Sequence, residues 1–93
     1  MLRLEKHGSS YLYGDTKITD LTTKQQILLD LFLAKRGLTV SYEEIAVALW
    51  PGNNDWSLYA LTKEIQRLRD SLKSCGISAP LILAHRKQGY SVS

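Results

Sequence analysis

The sequence predicts an α+β fold in a single domain of 93 residues. Three observations support this prediction: alternating apolar residues near the N-terminus, three helical segments in the middle, and two β-like runs at the end. We expect an N-terminal antiparallel sheet in residues 1–20, a three-helix core in residues 21–76 and a β-hairpin in residues 80–93. The length excludes a two-domain enzyme.

The N-terminal segment carries apolar side chains at roughly two-residue spacing, as strands with one buried face do. These side chains are Leu2 and Leu4, then Tyr11 and Tyr13, and then Ile18. The stretches HGSS and YGD between them are turn signals. We therefore expect two or three short antiparallel strands.

The first two helices each begin with a capping box, in which a hydroxyl and a side chain three residues later satisfy free backbone donors. Thr22 and Gln25 form the first such pair, and Ser41 and Glu44 form the second. The Trp50-Pro51-Gly52 stretch ends the second helix. The residues expected to face the core are Ile27, Leu28, Leu31, Phe32, Ile45, Ala48, Leu49 and Trp50.

The third helix is predicted to begin between Asp55 and Ser57 and to end at about Ser74. At 100° per residue, one side collects the apolar residues Leu58, Leu61, Ile65, Leu68 and Leu72. The opposite side shows Tyr59, Lys63, Gln66, Arg67 and Asp70, with Arg69 at the border. This segment is the longest and most amphipathic of the three.

The last β-like runs, Leu81-Ile82-Leu83-Ala84 and Tyr90-Ser91-Val92, are joined by RKQG. We expect a hairpin with Arg86 and Lys87 at its tip, with Gly89 giving backbone freedom near the turn and Tyr90 packing on the third helix. Three helices followed by a hairpin are typical of the winged helix-turn-helix, whose third helix enters the major groove of DNA.

The charge distribution agrees with an anionic partner. Residues 1–58 contain six Lys or Arg and seven acidic residues, a balance of −1. Residues 59–93 contain six Lys or Arg and two acidic residues, a balance of +4. Such asymmetry favours binding to nucleic acid, with a basic face that serves only solubility as the alternative.

Several motifs together resemble the OmpR/PhoB-type DNA-binding domain of transcriptional regulators, over essentially the whole chain. They are Leu21-Thr22, Leu28, Leu31, Val40-Ser41-Tyr42-Glu43-Glu44-Ile45, Leu49-Trp50, Ile65-Gln66-Arg67-Leu68-Arg69 with Leu72, and Gly89-Tyr90-Ser91-Val92. The stretches Ala60-Leu61-Thr62 and Arg86-Lys87-Gln88-Gly89-Tyr90 are closer to the ToxR/CadC-like branch, in which the domain belongs to a membrane-anchored regulator.

The resemblance implies roles for particular residues. The third helix would read bases through Tyr59, Lys63, Gln66 and Arg67, with Arg69 at a phosphate-contact position and Arg86 at the wing contact. For Arg67 and Arg69, the alternative is an internal ion pair with Glu64 or Asp70 at helical spacing. The loop before this helix would contact RNA polymerase, and Asn53, Asn54 and Trp56 are its candidate residues, with packing on the core as the alternative for Trp56. Tyr59-Ala60, Glu64, Ala84 and Lys87 depart from common family residues, so the base preference does not carry over.

Other functional classes receive no support from the sequence. No His, Cys or carboxylate cluster has metal-ligand spacing, and His7, Ser9 and Ser10 have no acid partner for a catalytic triad. Cys75 is the single cysteine, which excludes an internal disulfide. We expect no enzymatic activity, no cofactor, no membrane segment and a cytoplasmic location.

Two functional hypotheses follow. The first is sequence-specific binding of double-stranded DNA to regulate transcription, either as a monomer or as tandem copies on DNA. The second is a winged helix that serves as a protein-interaction module for a regulator or RNA polymerase. Glu64 and Asp70 motivate the second hypothesis, because acids on or near the reading helix repel phosphate.

Overall fold

A computed structural model describes residues 2–92 and contains two small sheets and three helices. Met1 and Ser93, the outermost residues of the predicted sheet and hairpin, lie outside the described residues. The strands are β1 (Leu4–His7), β2 (Ser10–Tyr13), β3 (Thr16–Ile18), β4 (Val40–Ser41), β5 (Ile82–His85) and β6 (Gly89–Val92). The helices are α1 (Thr23–Ala34), α2 (Tyr42–Leu49) and α3 (Leu58–Ser74). The predicted α+β winged-helix fold is confirmed.

The N-terminal sheet has the order β1-β2-β3, and both pairs are antiparallel. Leu4, Tyr11 and Ile18 are buried on its inner face, as their alternation predicted. Leu2 precedes β1 and is exposed, so its predicted place in the buried face is wrong. The Tyr11 hydroxyl donates to the Asp30 carboxylate at 2.5 Å, and Lys6 Nζ contacts the same oxygen at 2.9 Å, which ties the sheet to α1.

Both predicted capping boxes are present. At α1, Gln25 N donates to Thr22 Oγ1 at 3.2 Å, and Thr22 N donates to Gln25 Oε1 at 2.9 Å. At α2, Glu44 N donates to Ser41 Oγ at 3.1 Å, and Ser41 N donates to Glu44 Oε1 at 3.4 Å. α3 begins at Leu58 with Ser57 as its N-cap, at the C-terminal edge of the predicted range.

The buried stripes of the helices differ from prediction at a few positions. Leu58 is 48% exposed, because it lies in the first turn of α3, before the buried stripe begins at Leu61. In α2, Ala46 is buried and Ala48 is only partly so. In α1, the buried apolar residues are Leu28, Leu29 and Phe32, while the predicted Ile27 and Leu31 are partly buried at the edge of the core.

The C-terminal hairpin gains a third strand that the sequence did not predict. β6 pairs with β5 on one side and with the two-residue β4 on the other. A Cβ added to Gly89 would lie 1.9 Å from the carbonyl oxygen of Val40. Gly89 is therefore needed for close approach of β4, and the predicted role in backbone freedom is wrong. The left-handed residue of the turn is Lys87, with φ of 62°.

Candidate nucleic-acid interface

α3 divides cleanly into a buried and an exposed side after its first turn. Leu61, Ile65, Leu68 and Leu72 are buried in the core. Four of the predicted DNA-binding residues are exposed on the other side of the helix, and they are Tyr59, Lys63, Gln66 and Arg67. The positions of these four side chains agree with the face predicted from helical spacing.

Tyr59 and Lys63 form one local unit at the N-terminal end of this face. Tyr59 is 72% exposed, and Lys63 Nζ lies 5.4 Å from the centroid of its ring. The ammonium also lies 3.5 Å from the Tyr59 hydroxyl oxygen. This contact between a cation and an aromatic face holds an aromatic side chain and a positive charge side by side.

The two acids of α3 occupy different environments. Asp70 is exposed, and its carboxylate accepts a hydrogen bond from Gln66 Nε2 at 3.0 Å. Glu64 is buried, at 9% exposure, and its Oε1 lies 3.4 Å from Arg67 Nη1. Glu64 therefore does not present an open carboxylate to an incoming phosphate, whereas Asp70 does remain exposed on α3.

Arg69 joins α3 to the hairpin. Its Nη2 donates to the Ile82 carbonyl oxygen at 2.8 Å, and its guanidinium carbon lies 5.7 Å from the ring centroid of Tyr90. Tyr90 is 7% exposed and makes an edge contact with Tyr42, with the ring centroids 6.1 Å apart. Burial raises the pKa of the Tyr90 hydroxyl. The predicted packing of Tyr90 on α3 is confirmed.

The hairpin tip is anchored at its base and open at its end. His85 Nε2 lies 2.7 Å from Ser91 Oγ, and Tyr42 N donates to the Gln88 carbonyl oxygen at 3.3 Å. Arg86 and Lys87 are exposed at the turn. Two cations thus project from a braced hairpin that Arg69 connects to the exposed face of α3.

A buried amide that sequence reasoning missed fixes α3 against α1. Gln25 is 5% exposed, and its Nε2 donates to Ser71 Oγ at 2.8 Å and to the Arg67 carbonyl oxygen at 3.3 Å. The capping box accounts only for the amide oxygen of this side chain, which accepts from Thr22 N. Its tertiary role had no signal in the sequence beyond a glutamine on an otherwise apolar stripe.

The comparison with protein families decides the class of this domain. The family model described as "Transcriptional regulatory protein, C terminal" matches residues 15–92. The chain belongs to this family of OmpR/PhoB-type DNA-binding domains. The sequence search of curated proteins found no match.

The solved structures similar to this OmpR/PhoB-type domain include two DNA-binding or response-regulator domains. The DNA-binding domain of E. coli CadC has a TM-score of 0.72 and 25% identity, over 90% of this chain and 78% of that one. The C-terminal domain of NsrR, a lantibiotic response regulator for nisin resistance, has a TM-score of 0.67 and 22% identity, over 98% and 90% of the two chains. The NsrR likeness concerns the fold alone, and the CadC likeness agrees with the branch resemblance noted in the sequence.

A second surface of this OmpR/PhoB-type domain surrounds the loop before α3. Asn53 and Asn54 are exposed and Trp56 is half-buried, beside a shallow groove that Leu31 and Val47 also line. Val47 is 65% exposed. The Asn53 side-chain oxygen accepts from Asp55 N at 2.8 Å, which shapes the loop. The three predicted partner-contact residues therefore lie together, on a surface distinct from the exposed face of α3.

Residues 2–92 contain no group of three or more His, Cys, Asp or Glu side chains placed to hold a metal ion. Within the same residues, no helix has the length and apolar character required to cross a lipid bilayer.

Proposed function

We propose that this domain binds double-stranded DNA sequence-specifically to regulate transcription, with α3 in the major groove and the hairpin on the minor groove or the backbone. The observation that carries the proposal is the exposed face of α3, in which Tyr59, Lys63, Gln66 and Arg67 lie together beside a hairpin tipped by Arg86 and Lys87. We further propose a cytoplasmic location and a place within a longer regulator.

The residues divide by the type of contact that they offer. Arg67 and Gln66 carry donors suited to base edges, since Arg pairs bidentately with guanine and Gln with adenine. Lys63, Arg86 and Lys87 offer point charges or forks for phosphate oxygens, which supply affinity without sequence information. One Arg69 donor is used in the hydrogen bond to the Ile82 carbonyl oxygen. We therefore propose that Arg69 holds the hairpin against α3 and contacts phosphate only through its remaining donors.

Selection of bound sites from a random duplex pool, followed by titration of variants, tests this proposal. Arg67→Ala is expected to weaken the selected site by about 1 to 3 kcal/mol and to relax the preference at one position. Lys17→Ala, which removes an exposed cation from β3, is the matched control and should leave the preference unchanged. An equal loss on selected and random duplexes for Arg67→Ala would contradict its role as a base reader. Regularly spaced repeats in the selected sites would indicate tandem binding.

The groove beside Trp56 favours a second candidate function, contact with RNA polymerase or another regulator. Val47 and the half-buried Trp56 offer apolar surface beside the Asn53 and Asn54 amides, which another protein could cover. Absence of binding to random duplex at micromolar protein and low salt would favour this function over DNA binding. Binding to DNA together with loss of polymerase recruitment in Asn54→Ala would show that both surfaces are used.

A further inference from the structure

We propose that Glu64 is a positioning residue that orients the Arg67 side chain and thereby sharpens the base preference of α3. This inference rests on the proposed DNA-binding function, because it assigns a role to a residue that does not itself face the DNA. It replaces the expectation that Glu64 opposes DNA binding.

Glu64 is buried, and its carboxylate contacts the Arg67 guanidinium. The Glu64 side chain is 12% exposed and the Arg67 side chain is 59% exposed, with the two charged atoms 3.4 Å apart. Within residues 2–92, Arg67 is the only cation in ion-pair contact with this carboxylate. A buried carboxylate is costly without a cation, so the pair holds the exposed guanidinium to a fixed buried group.

The backbone of Arg67 is also fixed, by a hydrogen bond from α1. Gln25 donates to the Arg67 carbonyl oxygen at 3.3 Å from the opposite side of the helix interface. Thr22, Thr23 and Lys24 at the start of α1 line the same depression as Glu64 and Arg67. The Arg67 backbone is thus anchored by α1 and its guanidinium by Glu64.

Anchoring matters because guanine recognition needs a particular direction of the guanidinium. The group is planar and carries five donors, so a carboxylate on one edge leaves another edge free for the guanine O6 and N7 atoms. The acid also offsets the positive charge, which weakens attraction to phosphates of any sequence. Glu64 should therefore favour discrimination over total affinity.

Binding measurements on the selected duplex and on random duplex test the proposal. Glu64→Gln keeps the shape of the side chain and removes its charge. We expect it to lower the ratio of selected to random affinity roughly three- to tenfold, the effect of losing the orientation of one flexible side chain. Binding to random duplex should stay equal or strengthen. Glu43→Gln, which removes an exposed charge from α2, is the matched control and should leave the ratio unchanged.

A double-mutant cycle separates positioning from a general effect on structure. In the Arg67→Ala background, Glu64→Gln should change the ratio no further, because the residue that it orients is gone. An unchanged ratio in the single variant, or an equal fall with and without Arg67, would overturn the positioning role while leaving the DNA-binding proposal intact. If Arg67→Ala itself leaves the ratio unchanged, the base-reading role of Arg67 fails, and the positioning role fails with it.

The mobility of the Arg67 side chain in the absence of DNA tests the same positioning role. The NMR order parameter of the Arg67 side-chain Nε should fall in Glu64→Gln and stay close to the wild-type value in Glu43→Gln. An equally ordered Arg67 in both variants would overturn the proposal. Because Arg67→Ala leaves a buried carboxylate unpaired, it should also unfold at a lower temperature than the Glu64→Gln and Arg67→Ala double variant.

Discussion

At the scale of single residues, one carboxylate joins the N-terminal sheet to the helical core. Asp30 accepts from the Tyr11 hydroxyl and pairs with Lys6. Burial acts to raise the pKa of Asp30, but the hydrogen bonds from Tyr11 and Lys6 outweigh it, so the pKa lies below its usual range. The same bond to Asp30 raises the pKa of Lys6. The folded state therefore prefers the ionised form of Asp30.

Because the folded state prefers ionised Asp30, we expect the free energy of unfolding to depend on pH. A lowered pKa in the folded state stabilises the domain above the unfolded pKa of Asp, about 3.9, and the contribution is lost as the pH falls through the folded pKa. We expect the urea midpoint to fall between pH 6 and pH 3, and to fall less in Asp30→Asn. Equal pH slopes in the two proteins would contradict this assignment.

Glu44 stabilises the folded state with the same pH dependence, at the contact between Lys35 and α2. Its carboxylate pairs with Lys35 and also closes the capping box of α2. The hydrogen bond from Lys35, followed by that from Ser41, lowers the pKa of Glu44. The slope that remains in Asp30→Asn should therefore fall further when Glu44→Gln is added, as the same titration would measure.

At the scale of elements, the wing combines a strained turn with a cationic tip. Lys87 adopts φ of 62°, a conformation that costs a residue with a Cβ about 1 to 2 kcal/mol. Gly89, in contrast, lies where β4 approaches β6 and no side chain fits. A glycine would relieve strain at Lys87, whereas the glycine that is present, Gly89, prevents a clash with β4.

Lys87→Gly is expected to separate stability from binding. Glycine takes the left-handed conformation freely, although its flexibility in the unfolded chain offsets part of the gain. The unfolding temperature should stay the same or rise slightly, while affinity falls evenly for selected and random duplexes because one cation is lost. Lys87→Asn, which also tolerates the left-handed conformation, should behave alike. A stabilised variant with full affinity would show that Lys87 makes no contact with DNA.

At the scale of the whole molecule, positive charge is concentrated in the C-terminal part of the chain. The last 35 residues carry the balance of +4, and they form α3 and the wing. Arg69 is turned toward Ile82 and Tyr90. The other five Lys or Arg of this segment, Lys63, Arg67, Lys73, Arg86 and Lys87, are exposed. The surface of α3 and the hairpin therefore carries five exposed cations that a polyanion could contact.

This surface predicts a steep dependence of binding on salt. If about five cations neutralise phosphates, the logarithm of the association constant should fall with the logarithm of salt concentration at a slope of about −4.5. Arg86→Ala should reduce the steepness by about one unit. Titrations of the selected duplex between 50 and 200 mM salt would measure both slopes. Binding insensitive to salt would count against phosphate contacts as the main source of affinity.

The sequence by itself determined the order of elements, the two capping boxes and the exposed face of α3. Each depends on side chains within a few positions of one another, because capping bonds and helical periodicity are local. The cationic wing tip was predictable for the same reason, since alternation and turn residues mark a hairpin.

Only the tertiary structure decided which side chains meet across elements. It showed β4 against Gly89, Gln25 under Arg67, Arg69 on Tyr90, and the Glu64 carboxylate of α3 buried beside Arg67. These contacts join residues far apart in the sequence, or depend on which neighbouring element covers a helix face. Packing determines them, and the pattern along one segment does not contain that information.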